Sequence, residues 1–169
     1  MTNSQETNRH FAYIDGANLH QGLQSTLWDL DYRKFRSWLR QKFGISDATI
    51  FIGLITKNAN LYTYLQNSGF RLVFKEVVYD GDGKAKGNCD ADLVLDAMRN
   101  FYEKNTRHAL LVSSDGDYAP LVKFWQEKGV QCAVLSPAPE RKCSILLKRT
   151  GVPIIYLDDV RNKLRRHPK

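Results

Sequence analysis

Apolar positions along the chain fall into short continuous runs separated by segments of helical spacing. The first run, His10 to Asp15, ends abruptly in Asp15-Gly16, as a buried strand entering a loop would. Tyr32 to Phe43 then sets Phe35, Trp38, Leu39 and Phe43 at helical intervals among Arg and Lys, with Gly44 placed to cap the helix. A strand over Ala48 to Ile55 follows, then a helix over Asn58 to Ser68 closed by Gly69, then a strand over Phe70 to Val78. Tyr79 to Asn88 is turn chemistry throughout and predicts an exposed loop. Beyond it the pattern predicts a helix over Asp90 to Lys104, a strand over Thr106 to Ser113, and a helix over Ala119 to Lys128 stopped by Gly129. A strand over Val130 to Leu135, a helix over Arg141 to Arg149 and a last strand over Pro153 to Leu157 complete the chain. Alternating strands and helices, with nearly continuous apolar strands, predict an α/β protein whose parallel sheet is covered on both faces.

The 169 residues, 43% of them hydrophobic and 25% charged, suit one domain rather than two. The expected division is a disordered N-terminal tail over 1–9, a domain over 10–160 and a basic C-terminal tail over 161–169. No apolar run approaches the roughly 18 residues of a membrane helix, and the polar start has no signal-peptide character, so a soluble, cytoplasmic protein is expected. Cys89, Cys132 and Cys143 form no Cys-x-x-Cys pair and read as small buried residues. The net charge is +7, of which +6 lies from Glu140 onward. A basic segment of that kind either attracts a polyanion such as nucleic acid or forms a solvated helix and frayed end.

Ligand sites in open α/β sheets lie beyond the carboxyl ends of strands, where the strand order reverses. Two predicted strands end in acids: the first in Asp15, the fourth in Ser114-Asp115-Gly116-Asp117. If those strands are neighbours, Asp15, Asp115 and Asp117 share one crevice. Asp90 opens the helix after the glycine-rich loop, and Val94, Ala97 and Phe101 lie within about 40° of it around the helix, so it shares the sheet-packing face. Asp92 and Asp96 fall about 200° and 240° away, where a structural pairing is the better expectation for Asp96. Singly, each acid is an ordinary turn or first-turn residue. Jointly, four carboxylates repel one another unless protons or cations compensate them, and all-oxygen donors suit Mg²⁺ or Mn²⁺. Such ions could activate water and stabilise the leaving oxygen of a phosphodiester.

Three stretches carry a resemblance: Tyr13-Ile14-Asp15-Gly16-Ala17-Asn18-Leu19; Lys86-Gly87 followed by Asp90 and Asp96; and Leu111-Val112-Ser113-Ser114-Asp115-Gly116-Asp117-Tyr118 with Pro120-Leu121. From about Tyr13 to Leu157 the chain resembles the NYN domains, including the LabA-like branch, of the PIN-like ribonuclease superfamily. Between Gly87 and Asp90 it carries one residue more than the usual form. The resemblance implies a PIN-like, Rossmann-like three-layer fold with a parallel sheet of five to six strands. It also implies a Mg²⁺- or Mn²⁺-dependent endoribonuclease with Asp15, Asp90, Asp115 and Asp117 as metal-binding acids. Asn18 would support the site by hydrogen bonds, Asp96 matches a family position, and Ser114 stands where a hydroxyl could orient a carboxylate or touch phosphate.

RNA, single-stranded or structured, is the expected partner, and a homodimer is one assembly the chain could take. Lys86, Arg141-Lys142 and Lys148-Arg149 are candidate phosphate contacts, and Tyr79 or Tyr118 could stack a base. Two other readings compete: a non-catalytic RNA-binding or regulatory module on the same fold, and a phosphohydrolase of the haloacid dehalogenase type using the Asp-x-Asp step. Neither a dinucleotide-binding Gly-x-Gly-x-x-Gly nor a Walker-type phosphate loop is present.

Overall fold

The computed structural model describes residues 9–86 and 89–168. The expected disordered tail therefore falls, apart from Arg9, outside the described residues, as do Gly87 and Asn88 of the glycine-rich loop.

Six strands form one sheet: β1 (His10–Asp15), β2 (Asp47–Leu54), β3 (Arg71–Glu76), β6 (His108–Val112), β7 (Gln131–Ser136) and β8 (Ile154–Tyr156). Their order is β3-β2-β1-β6-β7-β8, and every pairing is parallel. The order reverses between β1 and β6, which pair from His10 with His108 to Ile14 with Val112. The two acid-tipped strands are thus neighbours.

The strands are apolar on both sides, and their alternation divides the core in two. Phe11, Tyr13, Ala109 and Leu111 pack on one side, against Leu93 and Ala97 of α4 (Asp90–Lys104), Trp125 of α5 (Ala119–Glu127) and Leu147 of α6 (Ile145–Arg149). Ala12, Ile14, Leu110 and Val112 pack on the other, against Leu19 of α1 (Gly16–Thr26), Phe35 and Leu39 of α2 (Tyr32–Phe43), Leu65 of α3 (Ala59–Asn67) and Leu164 of α7 (Arg161–Leu164). Helix, sheet and helix make the three expected layers.

Four elements differ from the sequence expectation. Asp15-Gly16 is no loop: Asp15 caps α1 by accepting the Asn18 backbone N–H at 3.1 Å, and the helix starts at once. With two glycines and only Leu19 and Gly22 buried, α1 carries little helical periodicity of its own. The expected strand over Phe70 to Val78 ends at Glu76, and Val78–Tyr79 (β4) pairs antiparallel with Ala85–Lys86 (β5), so the glycine-rich segment contains a small hairpin. The expected helix over Arg141 to Arg149 is broken. Glu140–Lys142 is a 3₁₀ turn, Cys143 is extended, and Ser144 caps α6 by accepting the Leu146 N–H. Finally, the segment after 160 is tied down rather than frayed: Leu164 is buried, and the Arg166 N–H donates to the Asp29 carbonyl.

Candidate metal centre

Asp15 leaves the end of β1 and is 7% exposed. Both its oxygens are engaged: Oδ1 accepts the Asn18 N–H, and Oδ2 accepts the Tyr118 hydroxyl at 3.1 Å. The same hydroxyl lies 2.7 Å from Oδ1 of Asp90, the first residue of α4. One phenolic proton serves two carboxylates, which draws Asp15 and Asp90 together. Asp115 follows β6 and caps the 3₁₀ turn Gly116–Tyr118 by accepting the Asp117 N–H at 2.9 Å. Its own N–H donates to the hydroxyl of fully buried Ser113.

Asp15, Asp90 and Asp115 each offer an oxygen within 4.8 Å of the others. They line a cavity of about 340 Å³ with Ala17, Asn18, Gln21, Phe51, Gly53 and Cys89 among its walls. Burial pushes the Asp15 carboxyl above the ordinary carboxylate value. Hydrogen bonds from Asn18 and Tyr118 oppose that rise, while the neighbouring Asp90 and Asp115 add to it. The Tyr118 hydroxyl is pushed far up by burial and by Asp15 and Asp90, and stays a donor. Burial, aided by Asp15, pushes the Cys89 thiol up to about 11, so it enters the cavity as a neutral thiol.

This donor set fits a hard divalent cation. The ligands are oxygens, no thiolate competes, and oxygens around a Mg²⁺-sized ion at ~2.1 Å stand at most ~4.2 Å apart, within a small contraction of the spacing seen. Excess negative charge in a half-closed cavity supplies the attraction.

The other candidates separate by position. Asp117 is exposed on the 3₁₀ turn and does not join the three-acid group, because the turn that aims Asp115 inward carries the residue two further on to the surface. Asn18 holds rather than reacts: its Oδ1 accepts both the Ser114 N–H at 2.9 Å and the Ser114 hydroxyl at 3.0 Å, fastening α1 to the end of β6. That bond also occupies the hydroxyl proton of Ser114. Asp96 pairs with Arg71 at 2.7 Å, away from the cluster, as its place on the helix led us to expect. Tyr118 is 1% exposed and cannot stack a base, whereas Tyr79 is 63% exposed. Lys86 belongs to β5, but its side chain lies outside the described residues. Arg141 and Lys142 are exposed on the turn before Ser144, whose N–H donates to the Ser114 carbonyl, so they flank the site's β6 side. Lys148 donates to the Glu140 carbonyl at 2.7 Å, and Arg149 is exposed. Tyr118 as the bridge was missed from sequence. Its position directly after Asp-x-Asp was the available signal.

A protein of unknown function from Vibrio parahaemolyticus RIMD 2210633 shares this fold, with a TM-score of 0.77 and 22% identity over 98% of this chain and 100% of that one. A PLP-bound protein from Clostridium difficile 630 superposes with a TM-score of only 0.30 at 9% identity, over 83% of this chain and 47% of that one, too loosely to bear on the site. No curated protein matches the chain. The family described as NYN domain matches residues 11–155, from β1 to the last strand. The chain, with its PIN-like sheet and the acids gathered where the strand order reverses, therefore belongs to the NYN domain family.

Proposed function

We propose that this protein is a Mg²⁺- or Mn²⁺-dependent endoribonuclease of the LabA-like branch, acting on single-stranded or looped RNA in the cytoplasm. The observation that carries it is the meeting of Asp15, Asp90 and Asp115, from three separate elements, within 4.8 Å at the strand-order reversal. Membership of a family of PIN-like nucleases supports the reaction class. Among the described residues no helix is long and apolar enough to cross a membrane.

Asp15, Asp90 and Asp115 would hold the cation, which supplies Lewis-acid activation of water and charge stabilisation at the scissile phosphodiester. The chain's own residues prepare that step. The Asn18 N–H and Tyr118 hydroxyl fix both oxygens of Asp15, so the carboxylate needs little reorganisation to bind. Tyr118 sets the spacing of Asp15 and Asp90, and Asn18 fixes the end of β6 from which Asp115 projects. The cations Lys86, Arg141 and Lys142 belong to the substrate side of this proposal, where Arg and Lys position the phosphate backbone.

The test is incubation of a mixed RNA with wild type and Asp115→Asn, each with Mn²⁺ and with EDTA. Cutting by wild type with Mn²⁺ alone, lowered at least ~100-fold in the variant, is expected. Full activity of a folded Asp115→Asn protein would end the proposal. RNA retained on a filter with no cutting would favour a binding module on the same fold.

A further inference from the structure

Beside the acidic cavity lies a second, larger hollow of about 1340 Å³, between α1, the start of α2, α3 and the C-terminal segment. The two are joined by one helix. Ala17 and Gln21 of α1 line the acidic cavity, while His20, Gln24 and Leu27 at the same face line the groove. At 1.5 Å per residue, Ala17 to Leu27 spans about 15 Å.

The groove layers aromatic rings with guanidinium groups. Arg33 and Arg166 stand over the Tyr64 ring at 6.0 and 5.4 Å from its centroid, and Tyr32 meets that ring edge-on at 6.0 Å. Arg166 is exposed but placed, since its N–H donates to the Asp29 carbonyl and burial of Leu164 anchors the segment. Lys34 donates to the Arg165 carbonyl at 3.1 Å and adds a further cation. Against Arg33, Lys34, Arg165 and Arg166 stand Asp29 and Asp31, and Asp31 is occupied in capping α2 through the N–H groups of Arg33 and Lys34. Positive charge and an exposed guanidinium layered on an aromatic ring together suit a strand bearing phosphates and bases. A second copy of a chain of net charge +7 would bring like charge to this surface.

We propose that this groove is a base-stacking exosite that holds single-stranded RNA a few nucleotides from the acidic cavity, with Tyr64 and Arg166 as its centre. The identity of the ligand rests on the ribonuclease reading, whereas the binding experiment does not require cleavage. RNA would run along the exposed face of α1, phosphates met by Arg165 and Lys34, one base against the Arg166 guanidinium where it lies on Tyr64.

The experiment is fluorescence anisotropy of a labelled oligouridylate of about 12 nucleotides, titrated with full-length protein in EDTA at about 100 mM salt. Tyr64→Ala and Arg166→Glu are each expected to weaken binding about 5-fold or more, and Tyr64→Phe, which keeps the ring, less than about 2-fold. Circular dichroism checks folding, and Arg166→Glu, at an exposed position, carries the test should Tyr64→Ala fail to fold. Wild-type affinity in both groove variants would overturn the exosite. So would displacement of the oligonucleotide by polyglutamate at equal concentration, which would point to an acidic protein partner, or dimeric wild type made monomeric by Arg166→Glu. Metal-dependent cleavage with groove-independent binding would refute this proposal alone. Groove-dependent binding with no cleavage under any metal would refute the ribonuclease reading alone.

Discussion

Asp15 serves as both a helix cap and a member of the acidic cluster, and the two roles pull its protonation in opposite directions. The cap bond from Asn18 favours the carboxylate, but burial, together with Asp90 and Asp115, disfavours it more, so its value in the folded protein lies above the ordinary 3.8. A carboxyl held above its unfolded value makes a contribution to stability that is fully present below that unfolded value and is lost as pH rises through the folded one. With that carboxyl ionised and no metal bound, the wild type therefore lacks this contribution. Asn at this position keeps the cap and removes the charge. In EDTA at about pH 7.5, Asp15→Asn is expected to melt several degrees above wild type, with the gap closing as the pH falls toward about 4. Melting curves across that range check it, and a variant less stable at every pH would show that the cap bond outweighs the burial. That Asp15, Asp90 and Asp115 come together was legible from sequence because strand ends and a first helical turn set their direction, but the expected inclusion of Asp117 was not met. The role of Tyr118 was not legible, because whether an aromatic after a turn lies inside or outside depends on what packs over it.

Among the elements, α1 shows why a helix can be hidden. Its sequence holds two glycines, and its position comes from tertiary contacts rather than intrinsic propensity. Gly22 is the clearest case: a Cβ there would meet Pro137 Cβ at 2.5 Å, its carbonyl oxygen at 2.6 Å and its carbonyl carbon at 2.7 Å. In an exposed helix Gly→Ala would stabilise by roughly 1 kcal/mol. Here the sign reverses, and Gly22→Ala is expected to destabilise by about 1–3 kcal/mol in urea unfolding, since the backbone after β7 must move. Unchanged stability would mean that the segment around Pro137 yields freely. By contrast α2 and α4 were readable to the residue, α2 because Phe35 and Leu39 recur on one face between an Asp31 cap and Gly44 at φ 66°. The break before α6 escaped notice because Cys143-Ser144 suits helix interior and cap alike, and only the Ser144 bond to Leu146 decides it.

Over the whole molecule, periodicity predicted the layers but not the strand order. That order follows from which helices cover which face, a property of packing, and it turns acids distant in sequence into neighbours. The basic residues were read as one C-terminal feature. The structure divides them between the turn beside the acidic cavity, with Arg141 and Lys142, and the aromatic groove, with Arg165 and Arg166. The pairing of β1 with β6, from His10 with His108 onward, also bears on how the molecule is made. Bringing such distant parts of a chain together costs loop-closure entropy before the contact is rewarded. Asp15 and Asp115 meet only when those strands do, so their mutual repulsion, and any cation that relieves it, arises only once that pairing has formed. Mg²⁺ is therefore expected to slow unfolding in stopped-flow measurements while leaving the refolding rate unchanged. Faster refolding with Mg²⁺ would mean that the cluster forms before the barrier. A nascent chain still lacking β6 would thus have no assembled centre, and whatever chemistry these acids perform is withheld until both halves of the protein have been synthesised and joined.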